Sequence, residues 1–118
     1  MQYLCLIYSD EKLMQDMSDA ERGAFTAEYG TFTREVRGSG HFVGGDALQP
    51  VATATTVRVR DGKVTTTDGP FAETREQLGG YYLIEAEDLD EALKIAARIP
   101  SARIGSIEVR PIRVYTSM

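Results

Sequence analysis

One acidic and one basic side chain stand out as candidates for acid–base chemistry. Asp68 follows a predicted strand and opens a compact turn with the sequence Asp-Gly-Pro-Phe. A carboxylate held at a strand end beside a cleft can serve as a general base. His41 is the only histidine of the chain, and histidine is the side chain whose ordinary pKa lies near neutrality. Facing each other across a cavity, the two would form an acid–base pair, so we predict Asp68 and His41 as catalytic residues.

Both residues also have a purely structural interpretation. An aspartate at the first position of a turn typically accepts a hydrogen bond from the backbone two residues later, which would make Asp68 part of the scaffold. His41 directly follows a Gly-Ser-Gly sequence that is typical of a helix end, where it would be exposed or would cap the helix. The sequence leaves both interpretations open.

Five further residues are predicted to contact a substrate. Arg58 lies on the polar face of a predicted hairpin, and its guanidinium fork matches a carboxylate, although an ordinary solvated face is the alternative. Glu73 and Asp46 are acidic residues near predicted strand ends. Tyr81 lies in an apolar strand and offers a hydroxyl group. Phe71 is expected to anchor the turn in the core or in an interface.

The composition argues against several classes of function. The net charge is −5, and the 13 basic residues are scattered, which does not favour a nucleic-acid surface. One cysteine, Cys5, and one histidine are too few for a typical soft-metal site. The chain lacks the glycine patterns of phosphate-binding and dinucleotide-binding loops. We therefore expect no metal and no cofactor.

The start of the chain indicates a location without a membrane. Residues 2–8 lack the basic region and the cleavage site of a signal peptide, and they are too short to span a bilayer. A lone cysteine cannot form an internal disulfide, so nothing points to an oxidising compartment. We expect a cytoplasmic protein without a membrane segment, in which residues 1–118 form a single domain.

The order of the predicted elements defines a fold class. Ser18 and Glu21 have the spacing of a capping box, and an apolar residue then recurs every three or four positions up to Val36. Asp61-Gly62 is a strong hairpin signal. The predicted strands are residues 2–8, 41–48, 55–60, 63–67, 78–86 and 106–113, with helices over 18–37 and 88–99. Apart from the hairpin, this order is βαββαβ, a ferredoxin-like α+β fold.

Two of the predicted strands are apolar on both faces. Residues 3–8 and 81–84 show no polar alternation, although two helices can cover only one face of a four-stranded sheet. The chain offers no further predicted helix for the second face. We therefore predict a homodimer in which the sheets pack face to face, unless the hairpin at residues 54–67 folds over that face instead.

Residues 68–74 (DGPFAET) and 76–82 (EQLGGYY) resemble the DGPF branch of the YCII-related family. The first strand, residues 44–48 (GGDAL) and residues 88–92 (DLDEA) are similar to it as well. The resemblance implies a dimeric α+β barrel. It also implies kinship with a superfamily that includes enzymes acting on lactones and chlorinated ring-cleavage products, some with a proposed His–Asp pair. Other members of this branch are linked to extracytoplasmic-function sigma factors.

Two hypotheses of function follow. The first is a homodimeric small-molecule-binding domain that acts as an acid–base enzyme, an isomerase or a lyase, with Asp68 as the base. The second is a non-catalytic binding or regulatory module associated with a sigma factor-type transcription system. The first requires Asp68 in a concave pocket with a second ionisable group within reach.

Overall fold

The computed structural model describes residues 1–115. Within that range, in chain order, the elements are β1 (Gln2–Ser9), α1 (Glu11–Gln15), α2 (Asp19–Gly38), β2 (Phe42–Ala47), β3 (Thr55–Arg60), β4 (Lys63–Asp68), β5 (Gln77–Glu85), α3 (Leu89–Ala96) and β6 (Ser106–Pro111). Short 3₁₀ turns occupy Val51–Thr53 and Pro100–Arg103.

The strands form two antiparallel sheets. The larger has the order β2-β5-β1-β6, and the smaller is the hairpin β3-β4. Tyr3 lies opposite Ile84 of β5 and opposite Pro111 of β6. The prediction of a mixed α+β fold is confirmed.

Capping side chains define where the two longer helices begin. Ser18 accepts a hydrogen bond from the Glu21 amide, and the Glu21 carboxylate accepts one from the Ser18 amide, so the predicted capping box is present. The Asp88 carboxylate accepts a hydrogen bond from the Glu91 amide at the start of α3. Each contact satisfies an amide that the helix itself leaves without a partner.

The core lies between one face of the larger sheet and the buried sides of α2 and α3. Alternate residues of β1 and β5 point to this side, because successive side chains of a strand point to opposite faces. They pack against Phe32 and Val36 of α2 and against Ile95 of α3; the strand residues are Tyr3, Cys5, Ile7, Tyr82 and Ile84. Burial raises the pKa of the Cys5 thiol to about 11, so this thiol is protonated and unreactive at neutral pH.

Three details of the helices differ from the sequence-based expectations. Helix α1 has only five residues, too short for a periodic apolar pattern, and was not predicted. Helix α3 ends at Ala96, and Pro100 begins a 3₁₀ turn rather than ending the helix itself. Its Leu89 and Leu93 are exposed although they are apolar, because Ala92, Ile95 and Ala96 supply the buried side.

Two glycines let β2 and β5 approach closely. A Cβ atom on Gly45 would lie 2.8 Å from the Tyr81 carbonyl oxygen, and one on Gly80 would lie 2.8 Å from the Asp46 carbonyl oxygen. Both contacts are too short for a real side chain. Register shifts also occur beside each glycine pair, between Phe42 and Gly44 and between Ile7 and Tyr8.

The hairpin β3-β4 projects away from the larger sheet. All of its residues except Thr56 are exposed. The radius of gyration is 16.5 Å, whereas a compact domain of this length has about 13.5 Å. Three valines share one face of the hairpin and are 58–69% exposed: Val57, Val59 and Val64. Such a hairpin is only marginally stable without further contacts.

The side of the larger sheet opposite the core is named here the open face. Its apolar residues are half-buried and alternate with the core residues of the same strands: Leu4, Leu6, Tyr8, Leu78, Tyr81 and Leu83. The buried residues of α2 and α3 pack on the other side. Since the hairpin residues are themselves exposed, the alternative in which the hairpin covers this face is wrong for the described chain.

Candidate functional site

A cleft of about 690 Å³ lies between α2 and the part of the larger sheet formed by β2 and β5. Its floor is formed by Gly45 and Gly80, where side chains are absent, and by Tyr82. Met14 of α1 and Pro50 border the end away from Phe42. This volume is within the range of sites that bind small molecules, roughly 300–1,000 Å³.

Helix α2 forms one wall of the cleft. Phe25, Tyr29 and Thr33 follow one another at spacings of four residues, so they share one side of the helix. The Tyr29 ring lies parallel to that of Tyr82, with centroids 6.5 Å apart. The rings of Phe25 and Tyr29 meet edge to face at 5.5 Å. The wall is therefore largely aromatic.

Two hydroxyl pairs lie within this aromatic lining. The Tyr29 hydroxyl is 2.6 Å from Ser101 Oγ, and the Tyr82 hydroxyl is 2.7 Å from Thr33 Oγ1. Thr33 also donates to the Tyr29 carbonyl oxygen. Burial raises the pKa of Tyr29 above its usual value, so its phenol remains neutral at physiological pH. The lining therefore combines flat apolar surfaces with fixed polar groups.

Contacts of α1 close one end of the cleft. The Glu11 carboxylate accepts a hydrogen bond from the Val51 amide, and the Glu11 amide donates to the Gln77 side chain. The Arg22 guanidinium donates to the carbonyl oxygens of Met14, Gln15 and Met17. These charged groups are therefore occupied in holding the chain together.

A tyrosine–aspartate pair joins β2 and β5 on the open face, next to the cleft. The Tyr81 hydroxyl donates a 2.9 Å hydrogen bond to Asp46 Oδ2. This hydrogen bond to the carboxylate raises the pKa of Tyr81 above its usual value. Asp46 and Tyr81, two of the residues predicted to contact a substrate, are thus brought together beside the cleft.

Comparison with known proteins agrees with the resemblance to the YCII-related family as a whole. The family model of the YCII-related domain matches residues 1–116. The chain belongs to the YCII-related family. An uncharacterized protein of Rhizobium meliloti (strain 1021) is 38% identical over 117 residues, which cover 98% of this chain and 94% of that protein.

The structure does not bring the two predicted catalytic residues of this YCII-related chain together. Asp68 is exposed at the end of β4, and neither it nor His41 lines the cleft. His41 Nε2 lies 3.2 Å from Glu91 Oε1, and His41 Nδ1 lies 2.7 Å from Ser39 Oγ. His41 therefore links the end of α2 to the start of α3.

The expected turn hydrogen bond of Asp68 is also not formed. Within residues 1–115, its carboxylate accepts no hydrogen bond. The residue two positions later is Pro70, which has no N–H to donate. The turn is held instead by Gly69, which has a φ of +98°, donates to the Ala54 carbonyl oxygen and accepts from the Thr56 hydroxyl.

The other three predicted contact residues lie outside the cleft of this YCII-related chain. Arg58 is exposed on the hairpin, on the face opposite the three valines. Glu73 is exposed in the segment between β4 and β5. Phe71 is 80% exposed, so the part of its prediction that placed it in the core is wrong.

Sequence reasoning missed most of the cleft. Tyr29 was assigned to a uniform apolar stripe, whereas only Phe32 and Val36 of that stripe are buried. Thr33 and Arg37 were not singled out, although they repeat the four-residue spacing from Tyr29. That spacing of polar residues beside an apolar stripe is the signal that could have indicated them.

No helix within residues 1–115 is long and apolar enough to cross a membrane. No group of three or more His, Cys, Asp or Glu side chains there is arranged to hold a metal ion.

Proposed function

We propose that the protein is a homodimer in which each subunit binds a small, largely apolar molecule in the cleft between α2 and β2. The observation that carries this proposal is the cleft itself, with its volume of about 690 Å³, its aromatic wall and its bare glycine floor. Ligand sites of this kind combine apolar walls with a few fixed polar groups. The Tyr29–Ser101 and Tyr82–Thr33 pairs supply such groups.

The homodimer is proposed to be a dimeric α+β barrel of ferredoxin-like subunits. The sheet order β2-β5-β1-β6, with α2 and α3 on one side, supports that topology. The open face supports a face-to-face partner, because no helix or strand among residues 1–115 packs on its six half-buried apolar residues. We also assign the chain to the DGPF branch, on the sequence of residues 68–74, and to the cytoplasm.

Filling the cleft tests the binding proposal. Thr26 lies on α2, is exposed and lines the cleft. Thr26→Trp should place an indole in the cleft and weaken the binding of any cleft ligand by about 100-fold or more, because the ring occupies the ligand's volume. The free energy of unfolding should stay within about 0.5 kcal/mol of the wild type, as is usual for an exposed position. Ligands are found by a thermal-shift screen of metabolites, and affinities are measured by calorimetry.

Thr31→Trp is the matched control for this variant. Thr31 is also an exposed threonine of α2, but it lies outside the cleft. The Thr31→Trp variant should bind the same compound as tightly as the wild type. If Thr26→Trp binds the compound as tightly as the wild type, the ligand binds elsewhere. The same follows if Thr26→Trp and Thr31→Trp lose equal amounts of affinity.

Catalysis by Asp68 is a further part of the proposal. An exposed carboxylate that accepts no hydrogen bond within residues 1–115 is free to act as a base, and a second subunit would have to supply the pocket that Asp68 lacks in one chain. Asp68→Asn should lower turnover of a compound that the wild type converts by about 10²–10⁴-fold. Folding should be unchanged, because the side chain holds no contact of the fold.

Asp90→Asn serves as the control, since Asp90 is an exposed acid of α3 outside the cleft. Wild-type turnover by Asp68→Asn would refute the catalytic role. If the wild type binds a compound in the cleft but converts none, the protein is a binding module, and an association with a sigma factor-type transcription system becomes the better proposal.

A further inference from the structure

We infer that the cleft binds its ligand as a carboxylate, held by Arg37, with a flat apolar body lying against the aromatic wall. This inference rests on the proposed binding function and names the class of ligand. Arg37 lines the cleft at the last turn of α2, and Phe42 lies beside it at the start of β2.

Two other arginines of this region pair with carboxylates, whereas Arg37 does not. Arg98 pairs with Glu35 at 2.8 Å and Arg103 pairs with Glu28 at 2.7 Å. Within residues 1–115, Arg37 has no carboxylate within ion-pair distance, and its side chain donates no hydrogen bond. Its charge is therefore available to a ligand.

Phe42 holds the Arg37 guanidinium in place. The guanidinium carbon lies 4.5 Å from the centroid of the Phe42 ring, which is a cation–π contact. A guanidinium stacked on a ring uses its face and leaves its N–H edges free. Those edges match the two oxygens of a carboxylate, and the contact would position them before a ligand arrives.

The remaining charges of the cleft lie away from this end. Arg22 precedes Arg37 by fifteen residues, which corresponds to roughly 22 Å along a helix, and it is bound to backbone carbonyl oxygens. Asp46 lies four residues beyond Phe42, on the order of 10 Å along the strand, and it accepts the Tyr81 hydroxyl. Glu11 is bound to the Val51 amide at the end formed by α1. Among the charged residues that line the cleft, Arg37 is thus the one whose charged group makes no hydrogen bond within residues 1–115.

The aromatic rings next to Arg37 indicate the shape of the apolar part of the ligand. The rings of Phe42 and Tyr82 meet edge to face at 6.2 Å, and Tyr29 lies parallel to Tyr82. Flat rings favour a flat apolar partner, because aromatic groups prefer offset or edge contacts with one another. The ligand class is therefore an aromatic or otherwise flat apolar monocarboxylate.

Matched acids and amides test this inference with the full chain. The probes are 2-naphthoate and 4-phenylbutyrate, each compared with its primary amide by calorimetry. The wild type should bind at least one acid about tenfold or more tightly than its amide, because a charge-assisted hydrogen bond is lost in the amide. Arg37→Gln should abolish that preference and leave the affinity for the amide unchanged. Arg34→Gln, an exposed position of the same helix outside the cleft, should behave as the wild type.

The outcomes separate this inference from the function on which it rests. Amides that bind as tightly as the acids, or an acid preference that survives in Arg37→Gln, would overturn the role of Arg37. If those compounds still lose affinity in Thr26→Trp, the cleft remains the binding site. If neither acids nor amides bind, and the metabolite screen finds no cleft ligand either, both proposals are wrong.

Discussion

Replacing Tyr82 with alanine should lower the free energy of unfolding by about 3–5 kcal/mol, the usual cost of removing a large aromatic side chain from a core. Tyr82 packs edge to face on Phe32 at 5.1 Å and on Phe42 at 6.2 Å, and it also lies parallel to Tyr29. Its loss would leave a cavity between β5 and α2. Because the total stability of a domain is only about 5–15 kcal/mol, much of it would be lost.

Urea unfolding followed by circular dichroism measures this effect, and two variants provide the scale. Tyr82→Phe keeps the ring but loses the hydrogen bond with Thr33, so it should cost about 1 kcal/mol. Tyr115→Ala removes a tyrosine that is exposed, and it should cost less than about 0.5 kcal/mol. A loss below about 1.5 kcal/mol in Tyr82→Ala would mean that the ring is not the centre of this cluster.

Replacing Leu6 with lysine should convert the proposed dimer into monomers. Leu6 lies on the open face, opposite Tyr81 of β5 and Glu108 of β6. Buried in the centre of an interface, an ammonium group would cost several kcal/mol unless it were fully paired, which corresponds to a dimer weakened by about 100-fold or more. In the monomer, the lysine would be solvated next to Glu108, so the fold should persist.

Analytical ultracentrifugation over a range of concentrations tests the dimer. The wild type should sediment as two chains of 13.0 kDa each. Leu93→Lys is the control, because Leu93 is an exposed leucine of α3 rather than of the open face. A wild type that is monomeric at about 100 μM would refute the dimer. A Leu6→Lys variant as dimeric as the wild type would place the interface elsewhere.

The larger sheet could be predicted because its signals are local. Strand β1 is apolar throughout, and the order of strands and helices along the chain is enough to indicate a mixed α+β fold. Ser18 and Glu21 lie within one helical turn of each other, so their pairing follows from spacing alone.

The candidate site could not be predicted because its contacts join distant parts of the chain. Tyr29 and Ser101 are 72 residues apart, and Thr33 and Tyr82 are 49 residues apart. No local pattern relates them. The turn hydrogen bond expected for Asp68 was also wrong, because the residue two positions later is Pro70, which has no N–H to donate.

The bare floor of the cleft has a consequence for how relatives of this chain can diverge. At Gly45 and Gly80, a ligand would rest on main-chain atoms, and even one added methyl group would collide with a neighbouring carbonyl oxygen. Substitutions at these two glycines are therefore almost excluded. Selectivity for different compounds would have to change through the exposed turns of α2, where substitutions leave the sheet intact.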